Sequence, residues 1–66
     1  MRVYINDKAI TTKPNISLFE LILEQGFPTN GTAAAVNDVV IPKSKQAETI
    51  LKENDKITVI QAVCGG

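Results

Sequence analysis

The chain has 66 residues, 44% of them hydrophobic, which suits one small globular domain and leaves no room for a second. Seven basic and seven acidic residues cancel, so no basic stripe exists to neutralise phosphates, and nucleic-acid binding is disfavoured. A single cysteine, Cys64, and the absence of histidine exclude an intramolecular disulfide, a Cys/His zinc site and a thiolate-held iron–sulfur cluster; no metal is expected.

Met1-Arg2-Val3-Tyr4-Ile5-Asn6 reads as a strand and not as a signal peptide, because no long apolar run follows its one basic residue. No stretch approaches the length of a membrane-spanning helix, and a lone cysteine without an export signal points to the cytoplasm. The first strand is predicted over Arg2–Asn6, with Val3 and Ile5 on one face and Arg2, Tyr4 and Asn6 on the other. Asn6-Asp7-Lys8 supplies turn chemistry, and a second strand from Ala9 to Thr12, with Ile10 as its main apolar position, completes a hairpin.

Pro14-Asn15 breaks the strand and a helix signal follows. Ser17 and Glu20 have the spacing of a capping box, and Ile16 and Leu21 that of a hydrophobic staple. Gly26 is a natural left-handed stop and Pro28 prevents resumption, so the helix is predicted over Leu18–Gln25. Leu18, Leu21 and Ile22 form its inward face, while Phe19 and Leu23 lie to the side.

After the Asn30-Gly31 turn signal, Thr32–Asn37 and Val39–Ile41 read as two short strands around Asn37-Asp38, and Pro42 ends the second. Residues Lys43–Glu53 are mostly polar, with Ile50 and Leu51 as anchors and room for a single helical turn. Asn54-Asp55 is a further turn before a last strand over Lys56–Val63. In that strand Ile57, Val59, Gln61 and Val63 share one face, and Thr58, Ile60 and Ala62 the other.

The order is therefore two strands, a helix, two strands, an irregular turn and a strand. One amphipathic helix covers one face of a mixed sheet of four to five strands, with the first and last strands parallel at its centre. This is an α+β fold of the β-grasp kind, with residues 1–63 as the domain and residues 64–66 as a flexible tail. The tail ends on Gly65-Gly66, poor residues to order and easy ones to thread through a narrow channel. The dipeptide alone does not choose between a frayed terminus and a presented carboxylate.

Asn6 after the first strand, the helix opening Ser17-Leu18-Phe19-Glu20-Leu21 and the stretch Val36-Asn37-Asp38-Val39-Val40-Ile41-Pro42-Lys43 form a set with the last third of the chain. There the matching positions are Leu51, Asp55, Lys56, Ile57 and the ending Gln61-Ala62-Val63-Cys64-Gly65-Gly66. Over nearly its whole length this pattern resembles the ubiquitin-like β-grasp sulfur carriers, most closely the ThiS-type carriers of thiamine biosynthesis. Two departures stand out. Ser44-Lys45-Gln46-Ala47 lacks the aromatic residue common after the Pro-Lys pair, and Asn54 takes the place of a turn glycine.

The resemblance implies a carrier with no catalytic group and no bound cofactor of its own. Gly66 would be adenylated by an ATP- and magnesium-using partner related to ubiquitin-activating enzymes (ThiF-like). Sulfur from a persulfide donor would convert it to a thiocarboxylate, and a thiazole synthase (ThiG-like) would take the sulfur for the thiazole ring of thiamine. Two related readings share the fold and the activation chemistry: a molybdopterin-type sulfur carrier, which is usually longer, and a protein modifier joined to lysines through Gly66. A β-grasp interaction module with an inert tail is the plainer alternative.

Gly65 is expected to tolerate alanine poorly, since a Cβ beside the reacting carbonyl crowds a tight channel. Cys64 has no base or cation beside it in sequence to lower its thiol pKa and reads as a small tail residue. The sheet face turned from the helix, presenting Tyr4, Thr58, Ile60 and Ala62, is the expected partner interface.

Overall fold

In the computed structural model, which describes residues 1–27 and 32–61 (of Gln61 the backbone only), a mixed sheet lies against one helix. The elements are β1 (Arg2–Ile5), β2 (Lys8–Thr11), α1 (Leu18–Glu24), β3 (Thr32–Val36), β4 (Val39–Ile41), a four-residue helical turn α2 (Lys43–Gln46) and β5 (Lys56–Gln61). The sheet has five strands in the order β2-β1-β5-β3-β4. Only β1 and β5 run parallel; the other neighbours are antiparallel. The last strand in sequence is thus the middle strand in space, and the β-grasp arrangement read from the sequence is the one observed.

Both hairpins close through the same two-residue turn. Asn6 and Asp7 have φ of 49° and 69°, and Asn37 and Asp38 have 50° and 70°. Two consecutive left-handed residues make the type I′ turn whose twist matches that of the flanking strands, and Asn and Asp tolerate this region. Ile5 is consequently opposite Lys8, and Val36 opposite Val39. Three predicted boundaries move for this reason: Asn6 and Asn37 leave their strands, and Lys8 joins β2. Thr12 falls just past β2, although its N–H still donates to the Met1 carbonyl at 2.8 Å.

The helix begins as its capping signal implies, with the Glu20 N–H donating to Ser17 Oγ at 3.1 Å. The other limb of the capping box is replaced, because the Glu20 carboxylate accepts from the Lys13 ammonium. That hydrogen bond and the Glu20 charge hold Lys13 protonated above its ordinary value of 10.5. At the other end the helix stops one residue earlier than predicted, with Gln25 as its C-cap. Gly26 takes φ +81° and donates to the Leu23 carbonyl, while Phe27 donates to that of Ile22. This pair of bonds is the Schellman motif, and it requires a left-handed residue at Gly26.

The core lies between the sheet and α1. Val3, Ile5, Ile57 and Val59 rise from the two central parallel strands and Ala34 from β3. They meet Ile16, Leu18, Leu21 and Ile22 from the helix and its lead-in. Leu51 comes from the irregular stretch before β5 and is sealed in the same cluster. Of the two predicted anchors of that stretch only Leu51 is one, since Ile50 is half exposed. Gln46, which nothing in the pattern marks as internal, is only 4% exposed. It belongs to the stretch Ser44-Lys45-Gln46-Ala47, which lacks the aromatic residue that the resemblance leads one to expect. Phe19 is half-buried and Leu23 half exposed, as their lateral position on the helix implies.

Candidate functional site

β5 carries the chain toward its C-terminus through the middle of the sheet. On one edge it pairs antiparallel with β3 as far as Gln61, opposite Thr32. On the other it pairs in parallel with β1 through Tyr4–Lys56 and Ile5–Ile57. β5 is thus flanked by strands on both edges at its start and by β3 alone toward Gln61. The residues read as the reactive end, Gly66, Gly65 and Cys64, lie outside the described residues, as do Ala62, the Asn30-Gly31 turn and Pro28.

Alternation along β5 buries Ile57 and Val59 against the helix and turns Thr58 and Ile60 outward. Ile60 is 58% exposed, a large apolar side chain open to water on a central strand. Tyr4 lies on the same outer face, because its neighbours Val3 and Ile5 are buried, and it is half-buried beside Ala9 and Lys56. Tyr4, Thr58 and Ile60 are therefore brought to one face of the sheet.

The same face gathers residues that the sequence reading did not include. Ala33 is opposite Ile60, Ala35 is opposite Thr58, and Val40, 70% exposed, is opposite Ala35. Ile60, Ala33, Ala35 and Val40 thus make a continuous apolar strip over three adjacent strands. The signal was present but weak: the parity of Ala33 and Ala35 against buried Ala34, carried across the Asn37-Asp38 turn to Val40.

Asparagine side chains fasten both edges of β5. Asn37 Oδ1 accepts from the Lys56 N–H at 3.0 Å, and its Nδ2 donates to the Asp55 carboxylate at 3.1 Å. Asn6 Oδ1 accepts from the Val59 N–H at 3.0 Å, and its Nδ2 donates to the Val59 carbonyl at 3.4 Å. The two turns also flank an open groove floored by Lys56, Ile57 and Thr58.

Among the described residues no three His, Cys, Asp or Glu side chains stand close enough to hold a metal ion. No helix among them is long and apolar enough to cross a membrane. What the described body provides is a strand base and an exposed apolar face, an arrangement suited to being gripped.

The chain matches the model of the ThiS family over residues 2–66. It is 27% identical over 66 residues to the sulfur carrier protein ThiS of Escherichia coli (strain K12), with both chains covered completely. In fold it is similar to the thiamine biosynthesis protein ThiS of Geobacter metallireducens. The crystal structure of that protein superposes with a TM-score of 0.84 at 19% identity, each chain covered in full. Its solution structure gives 0.81 at 19% identity, covering all of this chain and 88% of the other.

Proposed function

The chain belongs to the ThiS family, and on that premise we propose that it is a sulfur carrier for the thiazole ring of thiamine, loaded at Gly66. The observation that carries the reading is that the family match runs to residue 66, so the Gly65-Gly66 end falls inside the family pattern.

The chemistry follows from the carboxylate. A terminal carboxyl has a pKa of about 3.3–3.7 and is ionised at neutral pH, a form that resists nucleophiles. One Gly66 oxygen attacks the α-phosphorus of ATP in the activating partner, pyrophosphate leaves, and an acyl-adenylate forms. The terminal sulfur of a persulfide then attacks the acyl carbon and AMP departs. A thiol cleaves the resulting acyl disulfide, leaving a Gly66 thiocarboxylate and a disulfide on the donor side. The thioacid sulfur is the better nucleophile and is delivered to the thiazole synthase.

In this scheme catalysis, ATP and magnesium belong to the partners, and the chain is their cosubstrate. Gly65 keeps the approach to the reacting carbonyl free of a Cβ. Cys64 has no assigned step. The outer face bearing Tyr4, Thr58 and Ile60, widened by Ala33, Ala35 and Val40, is where the activating enzyme grips the body. A cytoplasmic setting supplies the ATP.

The test is intact-protein mass spectrometry after incubation with a ThiF-type adenylating enzyme, magnesium, ATP and a persulfide donor. The full chain should gain the mass difference of one oxygen exchanged for sulfur, and a chain lacking Gly66 should gain nothing while keeping its fold. Equal modification of the shortened chain would falsify the carrier reading. A ladder of adducts on other proteins would replace it with conjugation.

A further inference from the structure

β5 is not held alike on its two edges. On the β3 side, backbone pairing accompanies it to Gln61. On the β1 side the backbone leaves early: the Asn6 N–H donates to the Ile57 carbonyl at 2.9 Å, and the chain then turns away into β2. Asn6 continues the pairing with its side chain, accepting from the N–H of Val59 and donating to its carbonyl. One acceptor and one donor are what a continuing parallel strand would have offered Val59, from two of its residues.

The turn does not account for this. A type I′ turn asks only for positive φ at two positions, which Gly, Asn and Asp all supply. The carboxamide does something further at Val59, which is only 7% exposed and whose backbone groups are costly to leave unpaired. Asn37 makes a similar bond to Lys56, but at the start of β5, far from the tail.

We propose that Asn6 is a positioning residue. Its carboxamide secures the second edge of β5 next to the tail and so fixes the line on which the residues after Gln61 leave the body. The inference rests on the carrier reading, in which Gly66 must reach a partner's reaction centre. Gly66 is seven residues beyond Val59, a span of at most roughly 23 Å if extended. Freedom at Val59 loosens the base from which the residues after Gln61 start, and the partner must then select the productive arrangement from a wider set. The cost falls on productive encounter and not on the chemical step.

Asn6→Gly removes the carboxamide while keeping a residue at ease at φ 49°. Asn37→Gly is the matched control, with the same turn and a carboxamide bond lost at the other end of β5. Two measurements decide: amide hydrogen exchange in the free protein, and KM and kcat for adenylation by a ThiF-type enzyme, read as pyrophosphate release. In Asn6→Gly the Val59 amide should exchange about tenfold faster, and KM should rise severalfold with kcat little changed. In Asn37→Gly the change should be confined to Lys56, with KM as in the parent chain. Unaltered protection of Val59 in Asn6→Gly, or an equal rise of KM in both variants, overturns the proposal. A parent chain that is never adenylated sinks the carrier reading instead, and the exchange data then decide the role of Asn6 by themselves.

Discussion

The carbonyl of Ile16 accepts the N–H of Leu51 at 2.9 Å, and both side chains are almost completely sealed from water. This bond, together with the Leu18 N–H donating to the Thr49 carbonyl at 2.8 Å, stitches the irregular stretch before β5 to the start of the helix. Leu51 is the residue by which a segment without strand or helix closes the core.

Leu51→Ala should therefore be among the most damaging single changes in the chain. Truncating a buried leucine costs about 3 kcal/mol through lost transfer energy and an unfilled cavity. For a domain this small, whose whole stability is of the order of 5 kcal/mol, that is most of what is available. Urea unfolding should show the midpoint collapsing with an unchanged slope. A loss below about 1 kcal/mol would mean that the neighbours close over the gap.

The outer sheet face gives a prediction of the opposite kind. Ile60 is 58% exposed and contributes little to the core, so Ile60→Glu should change stability by no more than about 0.5 kcal/mol. If this strip is where the activating enzyme binds, burying a carboxylate there should raise KM for the carrier roughly tenfold. Unaltered adenylation kinetics would move the interface elsewhere on the molecule.

The pair formed by Lys13 and Glu20 makes a prediction about pH. The folded state raises the Lys13 pKa, so the pair's contribution is fully present below the ordinary value of 10.5 and is lost as pH climbs through the raised one. Both groups are about half exposed, so the contribution is small and weakened further by salt. Lys13→Met should lower the thermal midpoint by a constant small amount between about pH 6 and 9. The difference should shrink at more alkaline pH. A gap that widens with pH would show that Lys13 acts through something other than its charge.

Much of the architecture was legible because its signals are local. Ser17 and Gly26 delimit the helix, and the pairs Asn6-Asp7 and Asn37-Asp38 mark the two hairpins, each within a few residues. What escaped depends on competition or distance. Lys8 reads as turn material until a two-residue turn sets it opposite Ile5. Glu20 has the spacing to reach back to Ser17, but Lys13, seven positions upstream, takes its carboxylate. Gln46 is buried with no periodicity to announce it. Alanines 33 and 35 barely register as apolar, so only strand pairing reveals the strip they complete with Val40 and Ile60. The grip of Asn6 on Val59 joins residues 53 positions apart and no local pattern can display it.

That the middle strand is the last one made has a bearing on how the molecule comes into being. Two hairpins, β1–β2 and β3–β4, can form from neighbouring residues, yet in the sheet neither pairs with the other except through β5. Ile5 waits for Ile57. Closing so long a loop is entropically slow, and until it closes each hairpin leaves an unprotected edge able to join a stranger. A nascent chain interrupted before residue 56 thus holds two hairpins and a helix but no strand to join the hairpins into one sheet, and only synthesis of the final strand completes the domain.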